Sequence, residues 1–233
     1  MATRARSSTN SNSKDDRHAG GVDVFGDTSA PCAALARRDV GLNQALSHIT
    51  APHIRRRPGG FEGLFRIIVE QQVSVPAAQA ILARCHAVMA PVCPEAAMQL
   101  GEDGLRACGL SRPKARYAIG LASAVKQSDV DLDALARADN DTADAALQRI
   151  KGVGPWTAAI YLLFCEGRVD IWPPRDVALL GAYRHACAQG PGRSREISQL
   201  ALDARAARWA PHRGLAAHIL WTYYAKIRGR TPI

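Results

Sequence analysis

The chemistry in this sequence is concentrated in one short run and one later carboxylate. Leu147-Gln-Arg-Ile-Lys-Gly-Val-Gly-Pro-Trp-Thr-Ala158 reads as a helix end, a tight Gly-Val-Gly hairpin and a second helix start. Asp176 follows in Pro173-Pro-Arg-Asp176. Gly152 and Gly154 can take backbone angles closed to other residues, and without Cβ they let another backbone come close. Pro155 suits the first turn of a helix, where its missing N–H would have no partner anyway. The amides of Gly152, Gly154 and the next turn then point outward at a helix N-terminus, a site for phosphate that needs no particular base sequence. A Gly-x-Gly turn that touches only protein would look similar. Leu147, Ile150, Val153, Thr157 and Ala158 at helical spacings favour a nucleic-acid hairpin. Asp176, just after the Pro-Pro break, can cap a helix beginning at Val177. The same carboxylate can act as a fixed anion or as a base toward water.

Elements that position these groups follow from apolar periodicity. Phe61 to Gln72 has helical spacing, and Val75 to Val88 reads as the next helix, with Ser74 as its cap and Pro76 in its first turn. Glu95 to Leu100 and Asp103 to Cys108 give short helices broken before Ser111, which can cap a helix from Pro113 to Val125. Asp131 to Ala138 and Asp141 to Ile150 precede the hairpin, and Trp156 to Glu166 follows it. Val177 to Ala188, Ser194 to Ala207 and Leu215 to Lys226 complete the series. No alternating strand pattern appears, so the expectation is an all-α chain of two helical lobes flanking a cleft. Residues 1–20 read as a disordered basic tail. Residues 21–233 read as one domain, with a hairpin lobe over 61–165. The second lobe joins 21–60, expected to be helical, to 176–233.

The chain has 233 residues, enough for such a two-lobed core, and 47% are hydrophobic. The formal charge of +9 favours a polyanionic partner. The Arg55-Arg56-Arg57 run fits either such a partner or a solvated face. Six scattered cysteines lack metal-ligand spacing and suggest free thiols in a reducing compartment. No secretory signal or spanning segment is evident, which points to a cytoplasmic, nucleoid-associated protein without membrane contact, expected to be a monomer without cofactor.

Four stretches in order resemble the helix-hairpin-helix DNA glycosylases, in particular the 3-methyladenine DNA glycosylase II branch. They are Phe61…Ile68-x-x-Gln71-Gln72-Val73-Ser74-x-x-Ala77-Ala78, then Gly109-Leu-Ser111-x-x-Lys114-x-x-Tyr117, then the hairpin with Asp176, and last Trp209-x-Pro211-x-Arg213-Gly214-x-Ala216-Ala217-x-x-x-Leu220-Trp221. The resemblance covers about Phe61 to Tyr224 and implies double-stranded DNA with damaged bases as partner. It implies hydrolysis of the N-glycosidic bond of alkylated purines, 3-methyladenine and 7-methylguanine, in base excision repair. Asp176 matches the catalytic aspartate, beside a sugar that gains oxocarbenium character. A cationic alkylpurine leaves readily, so one carboxylate can suffice where most glycoside hydrolases use two.

Trp156 stands where lyase-competent members carry lysine, which implies a monofunctional enzyme, since a Schiff base needs an amine. It also matches an aromatic of the base pocket, where stacking and cation–π attraction hold a flipped base. Trp209 fits the pocket motif next best; Tyr223, Trp172 and Trp221 are further candidates, with Trp221 better read as core. Gln72 aligns with the residue inserted into the duplex where the base was; it could equally be a buried helix-end amide. Gly152, Val153, Gly154 and Thr157 match the DNA-contacting hairpin. The carbonyls of Gln148, Ile150 and Val153 match a set that can hold a monovalent cation. The sequence carries neither the four-cysteine iron–sulfur pattern of some branches nor strands for an extra N-terminal β domain. Two other readings stay open: a hairpin module that only binds DNA, and a glycosylase for another lesion such as uracil or hypoxanthine.

Overall fold

The computed structural model describes residues 25–189 and 196–231. The expected basic tail over residues 1–20 and the expected helix start at Ser194 lie outside the described residues. Helix is the only regular structure among them. In chain order the helices are α1 (Ser29–Arg38), α2 (Val40–Ser47), α3 (Gly60–Glu70), α4 (Val75–Val88), α5 (Pro94–Ala107), α6 (Arg112–Lys126), α7 (Leu132–Leu135), α8 (Asn140–Gln148), α9 (Pro155–Ile160), α10 (Val177–Gln189), α11 (Gln199–Ala206) and α12 (Arg213–Ile227).

Helix α3 is the axis of one lobe. Phe61, Leu64, Phe65, Ile67, Ile68 and Val69 are all buried, because apolar residues at this spacing turn a broad stripe inward. It packs against α4, α6, α7 and α9. Ser74 caps α4 through Ala77 N, with Pro76 in the first turn. Ser111 stands at the N-cap of α6 without a side-chain bond to it. The two short helices expected over 95–108 are present as the halves of α5, parted at Gly101, where φ is +67°. The helix after the hairpin begins as α9 and loosens into a π turn over Tyr161–Cys165. A single turn of this kind inside a helix re-aims the side chains that follow it.

The other lobe gathers α1, α2, α10 and α12. Asp39 organises it. Its carboxylate caps α2 through Gly41 N and Leu42 N and accepts from Tyr183 Oη, Trp209 Nε1 and Arg205 Nη1. At 4% exposure an Asp needs this full set of donors, since a buried charge left unpaired is costly.

The 23–60 segment departs from its helical expectation after α2, because residues 48–59 contain no helix. Pro52 and Pro58 break it, and it runs as an extended strap between the lobes. His53 N donates to Thr222 Oγ1 at 2.8 Å, and Arg57 N donates to Phe164 O at 2.9 Å. A second tie is the Arg213–Asp170 ion pair, with bonds of 2.8 and 3.0 Å. No helix among the described residues is long and apolar enough to cross a membrane.

Candidate active site

The Gly-Val-Gly turn is built by two backbone bonds, Ile150 N to Leu147 O and Val153 N to Ile150 O, each 3.0 Å. Gly152 has φ +92°, and a Cβ there would stand 2.3 Å from the Tyr117 ring. Both its conformation and its contact therefore require glycine. Gly154 corrects the expectation: its φ of −91° and ψ of 178° are ordinary extended values. Nothing lies within 4 Å of where its Cβ would be. Its use is the open approach to the exposed start of α9.

Of the four residues expected to contact DNA, the two that carry side chains do not face outward. Val153 and Thr157 are 3% and 4% exposed. Val153 anchors the turn in the core, and its amide is already bonded to Ile150 O. The Thr157 hydroxyl accepts from Gln71 Nε2 at 2.9 Å, and Gln71 also donates to Gly152 O at 3.1 Å. Gln71 thus clamps the α3–α4 connection to the hairpin. Exposed backbone is left at Gly154 and Pro155, with half-buried Gly152 beside them and exposed Lys151 at the tip.

Gln72, next to this clamp, is exposed and holds φ +52°. A non-glycine residue in the left-handed region is uncommon and stays there only where its surroundings enforce it. The enforcing groups are Gln71 on one side and Lys114 on the other, whose Nζ donates to Val69 O at 2.8 Å and to Gln71 O. The alternative of a buried helix-end amide belongs to Gln71, not Gln72.

Asp176 is 8% exposed and sits at the start of α10. Its Oδ1 accepts from Ala178 N and Leu179 N, both at 2.9 Å, and its Oδ2 accepts from Trp156 Nε1 at 2.9 Å. Capping and a presented carboxylate are therefore one arrangement. Three donors fix its orientation, and the N-terminal end of α10 adds a favourable dipole. The loop before it is held by Asp203 on α11, which accepts from Trp172 Nε1 at 3.0 Å and from Arg175 N at 3.1 Å. Arg175, with φ +60°, is exposed beside Asp176.

One open cleft of about 910 Å³ collects these groups. Gln72, Gly152, Val153, Gly154, Trp156, Thr157 and Asp176 all line it, together with Gln148 and Ile150. Trp209 does not. It is 0% exposed, donates to Asp39 and stacks edge-on against Trp172 at 5.2 Å. The expected role in a base pocket is corrected, because its indole is committed to the packing of α1, α2 and α10. Trp172 faces Asp203, and Tyr223 is buried with its hydroxyl 2.7 Å from His185 Nδ1. Trp221, expected as core, is half-buried and walls a second cavity with Arg55.

Sequence reasoning missed Gln71, Lys114, Tyr117 and Arg175 as residues of this site. The first three lay inside the quoted motifs, whose spacing was itself the signal. Arg55 and Arg57 are half-buried over the Phe164 ring, at 5.0 and 5.5 Å. Of the run, Arg56 alone is exposed.

Comparisons with known proteins agree with this geometry. The model of the HhH-GPD superfamily of base excision DNA repair proteins matches residues 65–204. A DNA-3-methyladenine glycosylase of Saccharomyces cerevisiae is 28% identical over 59% of this chain; the chain spans half of that relative's length. Among solved structures, the DNA-3-methyladenine glycosidase of Bacillus halodurans has a TM-score of 0.71 at 26% identity, covering 88% of this chain and 94% of its own. The 3-methyladenine DNA glycosylase of Schizosaccharomyces pombe in complex with abasic DNA has a TM-score of 0.73 at 23% identity, covering 85% and 97%, and shares the fold.

Proposed function

The chain belongs to the HhH-GPD superfamily of base excision DNA repair proteins, and on that premise we propose that it is a monofunctional DNA glycosylase removing alkylated purines. The observation that carries the reading is the Asp176 carboxylate, held by three donors at the wall of the cleft that also contains the hairpin. A fixed anion at that place stabilises positive charge building on the deoxyribose as the base departs, and orients water toward C1′. A hairpin that only binds DNA would need no such carboxylate.

In this reading the hairpin backbone at Gly152 and Gly154, with Lys151, holds phosphates beside the lesion. The net charge of +9 adds a general, salt-dependent attraction to duplex DNA. Gln72 is held outward to fill the gap that a flipped base leaves. Trp156 stands where a lyase would need lysine, so the product is an intact strand with an abasic site. Gln148, Ile150 and Val153 line the same cleft. The Ile150 oxygen keeps one lone pair after bonding Val153 N, and a monovalent cation held by the three carbonyls would add positive charge near a phosphate. The lobes divide as 61–165 and as 21–60 with 176–233, in a monomer.

The test is a panel of duplexes, each with one lesion, scored for free base. Release of 3-methyladenine and 7-methylguanine ahead of hypoxanthine and uracil supports the assignment. Uracil outrunning 3-methyladenine contradicts it.

A further inference from the structure

The turn before α10 has no conformational use for an arginine at position 175. Arg175 has φ +60°, a conformation that glycine takes freely and that another residue keeps only where its surroundings enforce it. The enforcing group is Asp203 on α11. Its carboxylate accepts from Arg175 N at 3.1 and 3.3 Å, from Trp172 Nε1 at 3.0 Å and from Gln199 Nε2 at 3.2 Å. Both ends of the Trp172–Arg175 loop are thereby pinned to one helix. A strained residue held in this way calls for a reason in its side chain, and that side chain is a guanidinium.

Arg175 is exposed on the wall of the cleft, and its guanidinium makes no ion pair or hydrogen bond among the described residues. It does not pair with Asp176, its neighbour in sequence, whose three donors are all uncharged N–H groups. The residues lining the cleft include three charged ones, Lys151, Arg175 and Asp176. One cation stands at the hairpin tip; the other stands at the start of α10, directly beside the carboxylate. A DNA strand that presents a sugar to Asp176 also brings a phosphate toward that carboxylate, where like charges repel. Arginine is suited to hold such a phosphate, since its planar fork offers paired N–H donors to two phosphate oxygens.

We propose that Arg175 clamps a phosphate flanking the extruded nucleotide, on the α10 side of the cleft, while the hairpin holds the strand elsewhere. The proposal rests on the glycosylase reading above. Asp176 is 8% exposed and acts only on a sugar drawn into the cleft. A phosphate that reaches the adjacent residue belongs to the same displaced stretch of backbone. The clamp therefore engages the flipped state and not the stacked duplex, and its binding energy favours extrusion. The open approach at Gly154 meets any duplex alike. Arg175 thus adds affinity for the lesion without reading the base, and it offsets the repulsion between Asp176 and the backbone that must come near it.

The probe is a duplex with a tetrahydrofuran abasic-site analogue, beside the same duplex undamaged. Equilibrium binding compares the full native chain with Arg175→Gln. The two phosphates flanking the analogue are replaced, one at a time, by an uncharged methylphosphonate. The native chain should lose about tenfold in affinity at one of the two positions, the scale of one hydrogen bond to a charged group. Arg175→Gln should bind the analogue about tenfold more weakly and lose less than about threefold from that same replacement, with undamaged duplex bound within about threefold of the native chain. Its slope of log affinity against log salt should be shallower by roughly 0.9, the share of one phosphate. Equal sensitivity of both proteins to each methylphosphonate, or an equal loss on damaged and undamaged duplex, overturns the clamp. Arg175→Gly relieves the strained φ, so it should melt at or above the native temperature and still lose affinity for the analogue; native-like binding by this variant also overturns the clamp. Base release from lesion duplexes by the native chain is scored separately. Release alongside Arg175-independent binding leaves the glycosylase reading standing without the clamp. No release from any lesion, with the Arg175 effect intact, sinks that reading and leaves a phosphate clamp for displaced nucleotides.

Discussion

The indole nitrogen of Trp156 donates a 2.9 Å hydrogen bond to Oδ2 of Asp176. The hairpin helix and the proposed catalytic carboxylate are therefore coupled through one side chain. Trp156 was expected as a stacking surface for the flipped base; it is also the group that aims the carboxylate.

That double role changes the meaning of Trp156→Phe. Phenylalanine keeps an aromatic face but leaves Oδ2 without its donor. A hydrogen bond to a charged group contributes about 1.5–3 kcal/mol, so Trp156→Phe should slow base release by roughly ten- to a hundredfold with lesion-DNA affinity largely retained. Single-turnover rates beside equilibrium binding check this. A Phe variant with native rates would show that stacking alone is what Trp156 provides.

Gly152 and Gly154 should fail differently. Gly152→Ala places a methyl against Tyr117 at φ +92°. It should destabilise the fold by a few kcal/mol, about 1–3 for the backbone alone, and lower the melting temperature. Gly154→Asp meets open space, so the variant should melt near the native temperature. The added charge at the proposed phosphate contact should weaken binding to damaged and undamaged duplex alike. Thermal melts and salt-dependent binding separate the two. Loss of lesion binding alone in Gly154→Asp would remove the hairpin as the general anchor.

His218 ties stability to pH. Burial, with Arg55 and His53 nearby, depresses its folded pKa from the ordinary 6.5 to about 3. The unfolded chain therefore binds the proton first, and stability rises with pH across this window. It should be full above about pH 6.5 and fall steadily as pH drops toward 3. Between pH 6.5 and 5 ordinary carboxylates remain ionised, so the slope there reports mainly histidine. Denaturant melts across that interval should show the loss, and His218→Gln should flatten it. An unchanged slope in that variant would assign the acid sensitivity elsewhere.

The hairpin, the Pro-Pro break and the carboxylate were legible in the sequence because they are local. A glycine-proline turn and an N-cap depend on neighbours within a few residues. Helical periodicity likewise marked α3, α4 and α6, whose apolar stripes are long. Trp209 and Trp221 could not be sorted this way. Trp209 is buried by Asp39, which lies far back in the chain on the N-terminal helices, while Trp221 reaches a cavity completed by the strap. Both placements depend on which face of α12 and of the turn before it meets α1 and α2. Residues 48–59 were misread for a related reason: composition alone did not weigh Pro52 and Pro58 against a strap fixed by Thr222 and Phe164. Gly154 looked like a conformational requirement and proved to be an opening.

Asp176→Asn tests the central claim most directly. Asparagine fills the same space and can still accept from Ala178 N and Leu179 N, so folding and DNA binding should persist. The measurement is single-turnover release of 3-methyladenine and 7-methylguanine from a saturating excess of protein. The account predicts a fall of at least about a hundredfold, the scale of losing one preorganised electrostatic group, with lesion-duplex affinity within a few-fold of the native chain. Near-native release by Asp176→Asn, with binding intact, would contradict the assignment of this carboxylate to the chemistry.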